Sequence, residues 1–146
     1  MTISRAEIVR IAVSYLGTPF HHMGRQPGVG LDCAGVLVCV AREAHLVSQT
    51  FDVPAYTPTP DGRSMREWCD KYMRRVQQSE MKAGDAILLI TDKDPQHLGL
   101  LGVYRYGGFS IIHASNASNP PRVIETRLMF SRAQRFVAAY ALPGVE

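Results

Sequence analysis

The stretch DCAGVLVCVAREA, residues 32–44, decides how this chain is read. Val36, Leu37, Val38, Cys39 and Val40 are all apolar, so the segment shows neither the alternation of a half-buried strand nor the polar face of a surface helix. Periodicity alone leaves a buried strand and a buried helix open. A length of about 12 residues and the alanines at 41 and 44 favour the helix. The segment is therefore predicted to be a buried helix with Asp32 as its N-cap. Cys33 then stands just inside the helix, where the dipole and the first-turn N–H groups favour a thiolate and offer donors to an oxyanion. Asp32 works against that thiolate electrostatically. The plainer alternative is a buried structural cysteine, which is how Cys39 and Cys69 are read.

Upstream, HHMGRQPGVGL (21–31) reads as a loop whose glycines at 24, 28 and 30 let backbone pass close to something. Before it comes an amphipathic helix. Ser4 and Glu7 form a capping box, Ile3 and Ile8 a hydrophobic staple, and Ile8, Ile11, Ala12, Tyr15 and Leu16 the apolar stripe. Gly17 and Pro19 end it. Downstream, residues 46–63 carry Pro54, Pro58 and Pro60 and read as a long surface loop. A second capping box, Ser64 and Glu67, opens a helix with the stripe Met65, Trp68, Cys69, Tyr72, Met73 and Val76. Its other face, Arg66, Lys71, Arg74 and Arg75 against Asp70, reads as solvated.

The remainder is strand-like: 85–91, 98–105, 109–115, 122–126 and 136–142, with a hairpin at Gly107-Gly108 and a turn over 116–121. Helices first and strands after predict an α+β fold, with N-terminal helices packed on an antiparallel sheet of about five strands.

With 146 residues, 46% hydrophobic and 20% charged, the chain is expected to form one domain over 1–146. A net charge of +3 does not call for nucleic acid. Three cysteines without a CxxC pair argue against a disulfide framework and a four-ligand zinc site, and favour a reducing compartment. No apolar run approaches the ~20 residues that span a bilayer, so no membrane insertion is expected. Arg5, Glu7 and Arg10 break the first stretch, so we expect synthesis in the cytoplasm without a signal peptide.

A thiolate nucleophile needs a base, and the base an orienting group. His97 precedes one predicted strand and His113 lies near the end of the next. A turn centred on Gly107-Gly108 would pair residue 113 with a residue near 102. The two histidines then share a side and an end of the sheet, but face each other only through a slip or bulge. A zinc on Cys33, His97 and His113 is chemically conceivable, but no HExxH or paired-cysteine spacing accompanies it. No metal and no cofactor are expected. His21 and His22 read either as a solvated loop pair or as the lining of a substrate groove. His45 reads as a cation suited to a helix C-terminus.

The segments YLGTPF (15–20), LDCAGVLV (31–38), MKAGDAILL (81–89), QHLGLLGVY (96–104), IIHAS (111–115) and FVAAYALP (136–143) follow one another in the order seen in a known family. Through them the sequence resembles the NlpC-type cell-wall peptidases, papain-like cysteine enzymes that cut peptidoglycan stem peptides. The resemblance implies a papain-like fold in which Cys33 is the nucleophile, His97 the general base and His113 the residue that orients the base. It implies that Asp32 helps to hold a substrate amine. Phe20 falls where many members carry tyrosine, and Ala34 replaces the serine of the common D-C-S-G. The implied reaction is hydrolysis of a γ-D-glutamyl amide bond.

The GTPF-H-H loop, the VPAYTP segment and the terminal YALP resemble the short members found with phage tails. They imply tail-tip proteins as partners, a place on the virion tail, and action at the host cell wall. A tail-tip assembly module with little activity is the alternative. Acyltransferases with permuted order place histidine before cysteine, which Cys33 contradicts.

Overall fold

The computed structural model describes residues 2–58, 61–92 and 96–145. Pro60 of the predicted proline loop lies outside them. Helix α1 (Arg5–Val13) starts as the capping box requires, with the Glu7 N–H donating to Ser4 Oγ at 3.1 Å. Ile8, Ile11, Ala12 and Tyr15 are buried as the stripe demands. Leu16 is 40% exposed, because the helix has already ended at Val13 and the chain turns away through Gly17 at φ +88°.

The loop over 21–31 folds back on itself as a two-stranded antiparallel ribbon, β1 (Arg25–Gln26) and β2 (Gly30–Leu31). It leads into α2 (Cys33–Glu43), so the apolar run is a helix and not a strand. Every residue from 34 to 41 is buried, which explains why no polar face was visible. The helix ends through His45 in the left-handed region, with the Leu46 N–H donating to Ala41 O at 2.9 Å.

Helix α3 (Ser64–Tyr72) departs from its expected start. Ser64 is the first residue of the helix and Arg63 its N-cap, without a side-chain capping bond, while Asp61 holds the turn just ahead. Asp61 Oδ1 accepts from the N–H groups of Arg63 and Ser64 at 2.9 and 2.8 Å, and Oδ2 accepts from the Ser64 hydroxyl. The helix also stops earlier than the stripe predicts. Met73 is extended, and Arg74 to Val76 form strand β3, which pairs with the chain's last strand. Tyr140 on that strand is fully buried and its hydroxyl donates to Asp70 at 2.7 Å, fastening α3 to the sheet.

The main sheet has six antiparallel strands against the five expected, β3 being the addition. The others are β4 (Ala86–Thr91), β5 (His97–Val103), β6 (Phe109–Ser115), β7 (Arg122–Arg127) and β8 (Gln134–Ala141), in the order β3-β8-β4-β5-β6-β7. Leu88, Leu98, Leu100, Ile112 and Ala114 join residues of all three helices in the larger core, and α2 packs on β5 and β6. On the opposite face Ile87, Leu89, Leu101 and Ile111 form a smaller core covered by Met81, Phe109, Leu128 and Phe136. The connection from β7 to β8 therefore crosses that face. Among the described residues no helix is long and apolar enough to cross a membrane.

Candidate active site

Cys33 is the first residue of α2 and is half-buried, whereas Cys39 and Cys69 are 5% and 1% exposed. Burial pushes the Cys69 thiol up to about 12 and raises that of Cys39, which donates to Arg25 O at 3.3 Å. Both are packing groups. Ahead of Cys33, Asp32 caps the helix as predicted, with the Gly35 N–H donating to its Oδ1 at 2.8 Å. The Val36 N–H takes the Asp32 carbonyl at 3.1 Å.

Asp32 is only 3% exposed, and its carboxylate accepts four hydrogen bonds. Arg25 shares Oδ1 at 3.0 Å, while Oδ2 receives the Met23 N–H at 2.8 Å and the Tyr56 hydroxyl. The carboxylate that the resemblance sets against a substrate amine is thus satisfied from within the protein. Arg25 also bonds the Tyr56 oxygen at 2.9 Å and Asp52 at 3.0 Å. Burial works against the Arg25 charge, and Tyr56, Asp32 and Asp52 outweigh it. Burial, then Asp32, holds the Tyr56 phenol above its ordinary range, so it remains a donor.

The ribbon is pressed so closely on this helix end that a Cβ on Gly35 would stand 2.3 Å from the Gly24 carbonyl oxygen. Phe20 is partly buried against the larger core. His21 is exposed and its Nδ1 meets the His22 carbonyl at 3.0 Å; His22 Nε2 meets the Tyr56 carbonyl at 3.1 Å.

The two histidines of the sheet meet. His97 Nε2 and His113 Nδ1 are 2.6 Å apart, with the rings nearly perpendicular at 82°. They do not face each other directly, as the sequence register implied, and touch as diagonal neighbours. The β5–β6 hairpin closes through a five-residue loop, Val103 pairing with Phe109, so Leu101 faces Ile111 and Leu100 faces Ile112. Continuing that register sets His113 beside Gly99, with His97 two residues further along the same face. Diagonal neighbours of this kind lie within reach of aromatic rings. Burial, then the neighbouring His97, holds His113 down to about 3, so it is a neutral imidazole at any ordinary pH. A cavity of about 240 Å³ adjoins the pair, lined among others by Thr91, Asp92, Ser115 and Gln134.

The segments that follow the nucleophile and base candidates converge. Ala34 and Leu98 line one apolar cavity of about 110 Å³ together with Cys69 and Trp68. Gln96, just before His97, accepts the Met65 N–H of α3 at 3.3 Å.

No protein-family model matches the chain. No curated protein matches it in sequence. Solved structures do. The NlpC/p60 domain of the peptidoglycan hydrolase SagA superposes with a TM-score of 0.61 at 23% identity, covering 96% of this chain and all of that domain. This is the NlpC/P60 fold. A protein of the NLP/P60 family from Staphylococcus aureus, similar to lipoprotein, gives 0.59 at 19% identity over 95% of this chain and 41% of its own. An N-acetylmuramoyl-L-alanine amidase from Bacteroides uniformis gives 0.55 at 10% identity, covering 95% and 98%.

Within the NlpC/P60 fold seen here, the residues that sequence reasoning missed are Arg25 and Tyr56. Arg25 sits in a glycine loop without a motif around it, and Tyr56 lies in the long surface loop of 46–63, within the VPAYTP segment. A lone arginine between glycines, seven residues before a predicted buried carboxylate, was the one available signal.

Proposed function

We propose that the protein is a cysteine peptidase that hydrolyses the γ-D-glutamyl amide bond of peptidoglycan stem peptides. The observation that carries this reading is the 2.6 Å imidazole pair of His97 and His113, on a fold shared with peptidoglycan hydrolases. Neutral His113 accepts the Nε2–H of His97, so His97 acts through Nδ1. That nitrogen takes the Cys33 thiol proton, and the thiolate attacks the carbonyl carbon. The Cys33 N–H at the open end of α2 donates to the oxyanion. His97 returns its proton to the leaving amine; water, deprotonated in turn by His97, then splits the thioester and releases the acid.

His113 stabilises the imidazolium through its lone pair, a weaker partner than a carboxylate. Phe20, His21 and His22 line the groove ahead of Cys33 in this reading. A substrate amine reaching Asp32 would have to displace one of its four donors. The single peptidase domain spans residues 1–146 and needs no cofactor. Its place on a phage tail, acting at the host wall, rests on the GTPF-H-H, VPAYTP and YALP segments.

Incubation with tri-, tetra- and pentapeptide muropeptides, followed by mass spectrometry, tests the reading. Cleavage is expected, and Cys33→Ala should abolish it. Absence of cleavage on all three would leave the tail-tip assembly module.

A further inference from the structure

Asp32 poses a difficulty for a nucleophile at position 33. A buried negative charge one residue away opposes the thiolate that the helix end favours. The molecule surrounds that charge from two separate segments. Arg25 comes from β1, with its guanidinium 12% exposed and forked between Asp32, Asp52 and the Tyr56 oxygen. Tyr56 comes from the 46–58 segment and lays its hydroxyl on Asp32 Oδ2. Its ring is fixed on three sides, 5.3 Å from His22, 5.2 Å from Trp68 of α3, and 5.7 Å from the Arg25 guanidinium. Arg42 of α2 reaches Asp52 at 3.6 Å and holds the far end.

We infer that Tyr56 and Arg25 are positioning residues for Cys33. They hold Asp32 as a neutralised cap, so that the first turn of α2 acts on the sulfur without an opposing charge. The inference rests on the peptidase reading of Cys33 and adds the residues that tune it. The ionisable groups on the elements that meet at this helix end are Asp32 at its own N-terminus, Arg25 on β1, Tyr56 and Asp52 on the 46–58 segment, and His22 on the loop, with Cys69 of α3 close enough to Cys33 for the two thiols to interact. The strands under α2 add His97 and His113. Of the cations and donors among these, only Arg25 and Tyr56 bond Asp32 through their side chains. The Tyr56 hydroxyl is engaged by Asp32 and Arg25, so it acts on Cys33 through them.

The test is the rate of Cys33 alkylation by iodoacetamide across pH 5–9, followed by peptide mapping, beside muropeptide kinetics. Tyr56→Phe keeps the ring contacts and deletes two hydrogen bonds, the one to Asp32 and the one from Arg25. At pH 7 it should slow alkylation about three- to tenfold and move the pH–rate profile upward. It should lower kcat by a similar factor with KM within about twofold. Arg25→Lys, which keeps the charge and loses the fork, should shift the profile in the same direction. Profiles that superimpose on the wild type, with only a lower melting temperature, would overturn the inference and leave the network structural. Wild-type Cys33 reacting no faster than Cys39 and Cys69 would overturn the nucleophile reading, and this inference with it.

Discussion

An aspartate leads into each of helices α2 and α3, and the two beginnings are built for different ends. Asp61 stands three residues ahead of α3, exposed, and among the described residues it bonds Arg63 and Ser64 beside it. Everything it needs lies within one turn of chain. Asp32 draws on the ribbon, on a segment 24 residues downstream, and on its own helix. An aspartate satisfied locally marks where a helix starts. A cap satisfied from three elements also fixes what the helix end faces, which is what a nucleophile there requires.

The comparison breaks most visibly at Asp32. Asp32→Ala should lower unfolding free energy in urea by about 3–5 kcal/mol, because it removes four hydrogen bonds and half of a buried ion pair. Gly35→Ala should come next. Its new Cβ would meet backbone at Gly24, a contact that no rotamer change relieves, and a loss of about 1–3 kcal/mol is expected in the same assay. Asp61→Ala should have the smallest effect, a slight drop in melting temperature. The Ser64 hydroxyl, then the N–H groups of Ser64 and Arg63, hold the Asp61 carboxyl at about 2, against an ordinary 3.8. The stability it adds is therefore present above about pH 3.8 and lost as pH falls through 2, so wild type and variant should converge there. Equal losses at Asp32 and Asp61 would erase the distinction between the two helix ends.

Much of this arrangement was legible because it is local. The Asp32 cap, the Ser4 cap and the burial of α2 follow from residues within a few positions of one another. The errors came where distance in the chain intervenes. Ser64 and Glu67 satisfied the capping-box spacing, yet Asp61 accepts from the N–H groups earlier in the turn. Met73 and Val76 fitted a helical stripe and Arg74 its solvated face, but pairing of Arg74 to Val76 with β8 gives the backbone a ladder that propensity could not anticipate. The histidine pair was expected on one side and end of the sheet, while its contact depended on the length of the hairpin loop. Arg25 and Tyr56 carried no periodic signal, since each matters only through a carboxylate elsewhere in the sequence.

The short third strand has a consequence of its own. An open six-stranded sheet has two borders, each a template onto which a second molecule can add backbone. Here one border is three residues long and presents the exposed Arg74 and Arg75, and the other exposes Glu125, Thr126 and Arg127. Neither gives a neighbour a flat, uncharged ladder to extend, so crowding many copies together should not draw them into fibrous aggregates through their sheets.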